Sequence, residues 1–282
     1  MQILLTGNRG FLGQHLERSL SRSGHIVVGF DLVDGLDLAA LGTVIARTAG
    51  CDAVVHCAVV RDPEKPLPRS NQIGSNLTAL SNLLRTCEDL GINRLVNFSS
   101  VNAMGIFRGE AAPSYFPIDE DHPCRPRSDY GIGKLLGERL CELVSFRTPA
   151  LSVSTVRPPG IWDRQTYRQI SSARAQEPAF EWTPYWEYGA FVDVDDLCDL
   201  VLLILSSDPH PGHRAYLACA DDITTAGKSA VEHVAHIHPN VVWKSRALHR
   251  ADPYAALLSN ARARLDFGWK PKRNWRNRMR WM

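Results

Sequence analysis

Long apolar runs are missing from this chain of 282 residues. The longest run, from Leu200 to Leu205, is far shorter than the roughly 20 residues that a membrane-spanning helix needs. The apolar stretch at the start, Ile3 to Leu5, runs directly into a glycine loop, which is not the pattern of a signal peptide. We therefore expect a soluble protein that has no membrane partner.

Paired cysteines are missing as well. The chain has 7 cysteines, an odd number, and no two of them are spaced Cys-x-x-Cys. This argues against a disulfide framework and a zinc site, and it favours a reducing, cytoplasmic location. His233, His236 and His238 could share a metal ion, but no further ligand completes a set nearby. We expect them to be exposed histidines at a helix end, and we expect no metal.

A strong net charge is also missing. The formal net charge is +2 at pH 7, which indicates no acidic partner. The stretch 270–281 is basic and aromatic, but it is short and isolated, so a solvated terminal helix is favoured over nucleic-acid binding. With 44% hydrophobic residues the chain can bury a full core, as one large domain or two smaller ones.

The glycines near the start of the chain form an informative pattern. Gly7, Gly10 and Gly13 follow the apolar stretch Ile3–Leu5 and precede a helical run, Gln14–Leu20. In a strand-turn-helix unit the first glycine permits a tight bend, the second lets a pyrophosphate approach the backbone, and the third allows close packing of the helix on the sheet. The helix N-terminus then faces the anion. The pattern predicts a phosphate-binding turn for a dinucleotide.

An acid ends the next predicted strand, His25 to Asp31. Asp31 lies 18 residues beyond Gly13, about where a carboxylate accepts hydrogen bonds from the adenosine ribose. Such a carboxylate repels the 2′-phosphate of NADP, whereas Arg9 in the turn could pair with that phosphate. The charge repulsion favours NAD as the cofactor, and NADP is the alternative.

Predicted strands and helices alternate along the first part of the chain. Strands are expected at 52–58, 94–100 and 151–157, and helices at 39–49, 73–90 and 128–146. Strands separated by helices imply right-handed crossovers and a parallel sheet. The sequence therefore predicts an α/β fold, a Rossmann-type doubly wound parallel sheet.

The amino-acid composition changes after Gly160, which predicts that the chain has two regions with different functions. Residues 1–160 are expected to form the dinucleotide-binding domain, and residues 161–282 a smaller α+β region that binds substrate. The segment 190–206 is strongly apolar at its end and is expected to dock back on the first domain. Within the substrate region we expect an aromatic-rich part around Trp182, Tyr185, Trp186 and Tyr188, a strand at 215–218 and a helix at 225–236.

The helix expected at 128–146 follows a long proline-rich loop, 101–127, which should lie over the carboxyl edge of the sheet. Ser128 or Asp129 can cap this helix. A buried stripe is expected from four leucines, at positions 135, 136, 140 and 143.

Three residues form a candidate catalytic set. Tyr130 and Lys134 are four residues apart, so they share one helix face, and Ser100 ends a parallel strand. A phenol has an ordinary pKa of about 10, and a neighbouring ammonium lowers it towards the working range. Tyr130 would then exchange a proton with a substrate hydroxyl, and Ser100 would hydrogen-bond the same oxygen.

The chain resembles the extended short-chain dehydrogenase/reductase family, the NAD-dependent sugar epimerases and dehydratases. The resemblance rests on Thr6–Gly13, His56-Cys57-Ala58, Ser99-Ser100, Tyr130–Lys134, Arg157–Pro159, Phe191–Leu197 and Phe267–Pro271. It implies a catalytic set of Ser100, Tyr130 and Lys134 and a homodimer. The implied cofactor contacts are Gly7, Arg9, Gly10, Phe11, Leu12, Gly13, Asp31, Asp37, Leu38, Cys57, Ala58, Val59, Asn76, Tyr130, Lys134 and Pro158. Asp37 and Leu38 are implied to contact the adenine.

Departures from the family pattern narrow the reaction. Dehydratases follow the catalytic hydroxyl with an Asp-Glu pair, and here Val101 and Asn102 take those places, so dehydration is disfavoured. Nucleotide-sugar epimerases usually carry an asparagine and an arginine near the diphosphate, where this chain has Gly160 and Gly189. Arg250 remains as a possible match to another phosphate-binding arginine of the family.

A second, local resemblance points to the uronate dehydrogenases. It rests on Glu64-Lys65-Pro66 and on Tyr167-Arg168, and it implies that Arg168 grips a sugar carboxylate. Arg168 could equally be a solvated loop residue. The histidine that these enzymes carry two places after the serine is Asn102 here, which argues against a uronate as such. The implied substrate-binding residues are Ser100, Asn102, Arg168 and Arg250.

These observations predict an NAD-dependent oxidoreductase that interconverts a secondary alcohol and a ketone on a small, sugar-like or polyhydroxylated molecule. One alternative is an epimerase, of nucleotide sugars or of other sugars, with tightly bound NAD. An alternative of another class is a non-catalytic sensor that binds the dinucleotide.

Overall fold

The structure is a computed structural model, and it describes residues 1–59, 69–177, 188–225 and 227–276. Three features of the sequence lie outside these residues. They are the Glu64-Lys65-Pro66 stretch, the aromatic residues Trp182, Tyr185 and Trp186, and the C-terminal end of the basic run, 277–281.

Strands and helices alternate along the described chain. Their order is β1 (Gln2–Thr6), α1 (Phe11–Arg22), β2 (Ile26–Phe30), α2 (Leu41–Thr48), β3 (Ala53–His56), α3 (Arg69–Leu90), β4 (Arg94–Phe98), β5 (Tyr115–Phe116), α4 (Asp129–Arg147), β6 (Ser152–Arg157), β7 (Gly160–Trp162), α5 (Arg164–Gln176), β8 (Phe191–Asp193), α6 (Val194–Ser206), β9 (His213–Leu217), α7 (Ala230–Ile237), β10 (Val242–Trp243), α8 (Ala247–Ala251) and α9 (Ala261–Phe267).

A six-stranded sheet with the order β2-β1-β3-β4-β6-β9 organises the fold. β1 pairs in parallel with β2 and β3, β3 with β4, and β4 with β6. The parallel sheet confirms the predicted α/β, Rossmann-type class. The strand order reverses between β1 and β3, and in open sheets of this kind ligands bind at the carboxyl ends of the strands beside such a reversal. The glycine turn after β1 and Cys57-Ala58 after β3 both lie at that point.

Two compact units make up the chain. One contains Met1–Ser99, Ile132–Val156 and Val201–Ala215, and the other contains Ser100–Gly131, Arg157–Leu200 and Tyr216–Met282. The predicted roles of residues 1–160 and 161–282 in cofactor and substrate binding stay predictions.

The first unit has an apolar core built on the sheet. Leu4 of β1, Val54 of β3, Leu83 of α3 and Val153 of β6 belong to one buried cluster. The end of α6 is held by Arg94 at the start of β4, whose Nη1 donates to the carbonyl oxygen of Ser207 at 2.7 Å. Burying apolar side chains on the sheet supplies most of the stability of such a layer.

The second unit has two aromatic cores. In one, the Tyr188 ring packs edge-on against Phe107 and Phe116, with centroids 5.5 Å apart in both pairs. In the other, Trp275 lies 5.6 Å from Trp162, and its backbone N–H donates to the buried carboxylate of Asp222.

A salt-bridge cluster fixes the chain just before Trp275. Arg273 pairs with Asp193, Asp195 and Asp196. Together with the Trp275 contacts, it holds the C-terminal segment of the described chain against the second unit.

The strand expected at Ala215–Ala218 was assigned wrongly to the substrate region. It is β9, and it lies beside β6 at the edge of the main sheet. The backbone N–H of Val153 donates to Gly212 O at 3.0 Å, just before β9 begins. Strand pairing over more than fifty residues of chain is not encoded in the local pattern, which explains the error.

The buried stripe predicted for α4 is wrong at two of its four leucines, while Leu135 and Leu140 are partly buried. Leu136 and Leu143 are exposed, the latter by 68%. The buried face instead carries Gly137, Glu138, Cys141 and Val144. Gly137 explains this orientation, because a Cβ there would lie 3.2 Å from Leu80 Cδ2 of α3, so the helix packs tightly along its small residues.

No helix in the described ranges combines the length and the apolar character needed to cross a membrane.

The orientation of α4 predicts opposite outcomes at two neighbouring positions. Val144→Ala should lower the free energy of unfolding by about 2 kcal/mol, because it removes buried methyl groups and leaves a cavity. Leu143→Ala should change it by less than about 0.5 kcal/mol. Urea unfolding of both variants tests this, and an equal loss at Leu143 would contradict the orientation described here.

Candidate active site

The turn after β1 brings backbone atoms too close together for any side chain. Gly7 has a φ of 72°, and a Cβ there would lie 2.7 Å from Ala58 Cα. A Cβ at Gly13 would lie 2.0 Å from Gly7 O. The sequence predicted that Gly13 lets the helix approach the sheet, and the structure shows that the helix approaches the turn itself. Glycine is required at both positions because real Cβ contacts are not this short.

The N-terminus of α1 is suited to an anion. Its N-cap is Gly10, which has no side chain to satisfy the first amide groups, and its first turn carries no acidic residue. Phe11 at the first helical position is about half exposed, and Leu12 is partly buried. Amide groups without side-chain partners and the positive end of the helix dipole both favour a phosphate at this place.

The carboxylate of Asp31 is fixed beside the same turn. It accepts hydrogen bonds from the backbone N–H groups of Arg9 and Val33, each at 3.0 Å. The Arg9 guanidinium is occupied elsewhere, since it makes two hydrogen bonds to Asp34, at 2.8 and 3.1 Å. The hydrogen bond and charge of Arg9 hold the pKa of Asp34 below its usual value.

The strand ends of β1 and β3 are joined by side chains. Thr6 Oγ1 lies 2.7 Å from His56 Nδ1, and burial lowers the pKa of His56 to about 3, so this histidine is neutral. Cys57 Sγ donates to Thr6 O at 2.9 Å. The N–H of Ala58 donates to Thr6 Oγ1 at 3.4 Å. These contacts fix the backbone that faces Gly7.

The remaining implied cofactor contacts lie on several elements. Asp37 accepts the N–H of Ala39 at 2.8 Å, and Leu38 is buried in the core of the first unit. Asn76 of α3 donates to Gln72 O at 2.9 Å. Val59, the last residue described before residue 60, is exposed.

The ammonium group of Lys134, a residue of α4, lies at the end of β4. Its Nζ donates to Phe98 O at 2.7 Å. Burial lowers the pKa of Lys134 to about 8, while Cys57 and Glu138 act to raise it. Lys134 is therefore still mostly charged at neutral pH and loses its charge in mildly alkaline solution.

Ser100 and Asn102 form a hydrogen-bonded pair. Ser100 is the N-cap of a 3₁₀ turn over residues 101–104, and its Oγ accepts both the backbone N–H and the side-chain Nδ2 of Asn102, each at 3.2 Å. Asn102 is 7% exposed, and its Oδ1 has no hydrogen-bond partner among the described residues. The same turn is tied to the end of β6, because Val101 N donates to Pro158 O at 3.2 Å.

Tyr130 is the second residue of α4, and it directly precedes a glycine that the local packing requires. Ser128 caps the helix, with its Oγ accepting the N–H of Gly131 at 3.3 Å. A Cβ at Gly131 would lie 2.5 Å from Asn102 O. The glycine therefore lets the turn that carries Tyr130, itself 36% exposed, approach the backbone of the Ser100–Asn102 pair.

Arg168 and Arg250 are not brought to these residues by any contact in the described chain. Arg168 is exposed on α5, and Arg250 is exposed near the end of α8. Neither side chain makes a hydrogen bond or ion pair within the described ranges. Their binding roles stay predictions.

The histidines of α7 correct one expectation. His233 was expected to be exposed, but it is fully buried, on the helix face that also buries Ala230 and Val234. Burial lowers its pKa to about 4. Within the described residues there is no cluster of three or more possible metal ligands.

One polar residue of the site region was missed from the sequence. Glu138 lies one turn beyond Lys134 on α4 and is 2% exposed. Its carboxylate accepts a hydrogen bond from Ser99 Oγ. The signal was available, because Tyr130, Lys134 and Glu138 follow one another at intervals of four and therefore share a helix face.

Known proteins resemble this chain over most of its length. The model of the NAD dependent epimerase/dehydratase family matches residues 3–218. A UDP-glucose 4-epimerase of Lactobacillus helveticus is 28% identical over 160 residues, which cover 50% of this chain and 46% of that protein. A uronate dehydrogenase of Pseudomonas syringae pv. tomato is 28% identical over 167 residues, 55% of this chain and 57% of that protein. The matched regions span about half of the length of each relative.

A solved structure supports the fold. A short-chain dehydrogenase/reductase superfamily protein from Agrobacterium tumefaciens, crystallised with bound NAD, superimposes with a TM-score of 0.70 at 20% identity. The match covers 99% of this chain and 95% of that one.

The close approach at Gly131 predicts a loss of activity from a single methyl group. Gly131→Ala should push the start of α4 away from Asn102 and lower turnover at least tenfold, since angstrom-scale misplacement is costly in catalysis. Gly133→Ala is the matched control, because its Cβ would meet only Ile73 Cγ1, at an ordinary 3.7 Å. Circular dichroism and turnover should be measured for both. Equal turnover in the two variants would contradict the role given to Gly131.

Proposed function

The chain belongs to the NAD-dependent epimerase/dehydratase family, and from this we propose that it is an oxidoreductase that interconverts a secondary alcohol and a ketone. The substrate proposed is a sugar-like or polyhydroxylated small molecule without a nucleotide. The observation that carries the proposal is the Ser100–Asn102 pair.

The hydrogen bonds of Ser100 determine what its hydroxyl can do. A hydroxyl has one proton to donate and two lone pairs that accept. Both lone pairs of Ser100 Oγ are used by Asn102, so the proton is left to be donated. A hydroxyl restricted to donation suits a carbonyl oxygen, or the oxygen of an alcohol that is losing its proton. This supports the role of Ser100 in holding the reacting oxygen.

Tyr130 and Lys134 supply the proton chemistry in this proposal. They lie one turn apart on α4. The positive charge on Lys134 favours the phenolate of Tyr130, which takes the proton of the substrate alcohol in the oxidising direction and returns it in the reducing direction. Because burial brings the pKa of Lys134 to about 8, this charge is lost in mildly alkaline solution.

The residues around the first turn fit a dinucleotide. The N-terminus of α1 and Gly10 would hold the pyrophosphate, and the Asp31 carboxylate would bind the ribose hydroxyls. When bound, NAD supplies the capacity to accept or return a hydride. NAD is proposed over NADP because Arg9 is engaged by Asp34, which leaves the carboxylate of Asp31 to repel a 2′-phosphate.

Two features support a substrate without a nucleotide. Gly189, which stands where nucleotide-sugar epimerases are expected to carry an arginine, has a φ of 70°. A Cβ there would lie 3.0 Å from Ile223 Cβ, so a larger residue would be strained. Asn102 Oδ1, which has no hydrogen-bond partner in the described part of the chain, can accept a hydrogen bond from a second substrate hydroxyl.

Replacement of the proposed acid/base tests the reaction. Tyr130→Phe should lower turnover by at least a hundredfold and leave NAD affinity within about threefold, because it removes the proton-transfer group alone. Turnover is measured as NADH formation on a panel of neutral sugars, sugar acids and nucleotide sugars, and NAD binding by calorimetry. Tyr115→Phe, which removes a phenol that binds Asp119, is the control and should remain active. Full activity in Tyr130→Phe would rule out the mechanism.

An epimerase that keeps NAD tightly bound is the second candidate, supported by the likeness to the Lactobacillus helveticus enzyme. The dehydrogenase should convert added NAD to NADH in proportion to product. An epimerase would form the isomeric sugar with no net NADH. Chromatography of the sugars beside NADH absorbance separates the two. Conversion without NADH would establish the epimerase and exclude the dehydrogenase.

A non-catalytic NAD sensor is the third candidate. It would bind NAD and convert no member of the panel, and Tyr130→Phe would then change nothing.

A further inference from the structure

α4 carries a buried carboxylate on the same face as the two proposed catalytic residues. Glu138 follows Lys134 by four residues and Tyr130 by eight, and it is 2% exposed. A carboxylate so deeply buried is costly unless it is hydrogen-bonded and paired with a charge. The burial of Glu138 in the first unit therefore requires partners that stabilise its carboxylate.

The partners of Glu138 are at the end of β4. Ser99 Oγ donates to the Glu138 carboxylate, and the preceding residue, Phe98, offers its carbonyl oxygen to Lys134 Nζ at 2.7 Å. Two adjacent residues of the chain thus anchor the two neighbouring turns of α4. The ammonium and the carboxylate are held by fixed contacts and interact electrostatically.

The other titratable groups around Lys134 differ in their effect on its charge. His56 of β3 is neutral, since burial lowers its pKa to about 3. Cys57, after β3, donates its S–H to Thr6 O, and together with Glu138 it acts to raise the pKa of Lys134. Cys141, one turn after Glu138, is buried, and burial raises its pKa, so it is a thiol. Cys57 and Glu138 both oppose the effect of burial on Lys134, and Glu138 is the one that lies on the same helix, one turn away.

We propose that Glu138 is a positioning residue that keeps the partly buried Lys134 ammonium protonated and hydrogen-bonded to the Phe98 carbonyl. The catalytic meaning of this role rests on the function proposed above, in which the Lys134 charge favours the phenolate of Tyr130. Glu138 itself touches neither substrate nor cofactor in this proposal. It acts through Lys134.

The direction of the effect follows from the charges. Removing the carboxylate charge leaves burial less opposed, so Lys134 loses its proton at lower pH. The alkaline limb of the pH profile for alcohol oxidation then moves to lower pH. The acid limb moves to higher pH, because the phenol of Tyr130 is less assisted. The pH range of activity narrows from both sides.

A titration of Lys134 itself tests the proposal without a substrate. The full chain is labelled with ¹³C at lysine Cε, the Lys134 signal is assigned as the one lost in Lys134→Met, and its NMR shift is followed with pH. Glu138→Gln removes the charge and keeps an oxygen that can accept the Ser99 hydroxyl. The midpoint for Lys134 should fall by at least about one pH unit, a tenfold loss of proton affinity.

Glu142→Gln is the matched control. Glu142 lies one further turn along α4, but it is exposed and pairs with Arg139. This variant should leave the Lys134 midpoint unchanged. If Glu138→Gln leaves the midpoint unchanged, or if both variants shift it equally, the proposal is wrong. These outcomes do not depend on finding a substrate, so they are separable from a failure of the proposed function.

Kinetics then separate positioning from a purely structural role. With an active substrate, Glu138→Gln should narrow the pH profile, whereas Glu138→Asp, which keeps the charge, should restore much of the range. A uniform loss of activity with unchanged limbs would contradict the proposal. If Glu138→Gln fails to fold, Glu138→Met, which has no buried polar atom to satisfy, gives the same NMR comparison with the same expected shift.

Discussion

Backbone contacts that leave no room for a Cβ are the constraint on which the candidate site residues of each unit depend. In the first unit Gly7 lies against Ala58 and Gly13 against the Gly7 carbonyl, and in the second Gly131 lies against the Asn102 carbonyl. In each case an added methyl carbon would fall within 3 Å of a main-chain atom. The amide groups of α1 and the start of α4 are therefore placed by main-chain packing, which is more rigid than placement by long side chains.

Local patterns in the sequence predicted the features that depend on neighbouring residues. The glycine turn, the parallel strands β1, β2, β3, β4 and β6 and the helix at Tyr130 were all expected, and α4 begins and ends within one residue of its predicted limits. Features that depend on distant residues were missed or wrong. β9 joins the sheet through a strand far away in sequence, and the buried face of α4 is selected by Leu80 and Ser99, which no periodicity within the helix reveals.

The first unit has a buried histidine and a partly buried lysine near the same strand ends, and their charge states differ. His56 is hydrogen-bonded to the hydroxyl of Thr6, which is a neutral partner. Burial keeps the His56 ring neutral. Lys134 is paired with a carbonyl and lies near the Glu138 carboxylate, which works against the same effect of burial. Burial disfavours the charged form of both groups. The two residues differ because Lys134 has a neighbouring carboxylate, that of Glu138, one helical turn further along α4.

Val101 and Asn102, the two residues after Ser100, limit the reactions that the site around Ser100 can support. Where dehydratases of the family carry an Asp-Glu pair, Val101 is fully buried in the core of the second unit, so an acid there would be desolvated. Asn102 is an amide, which can orient the Ser100 hydroxyl and accept a hydrogen bond, but cannot take a proton from carbon at ordinary pH. Elimination needs such a base, whereas hydride transfer needs only an oriented carbinol and a base for its hydroxyl proton. The replacement of both acids therefore favours oxidation and reduction over dehydration at this site.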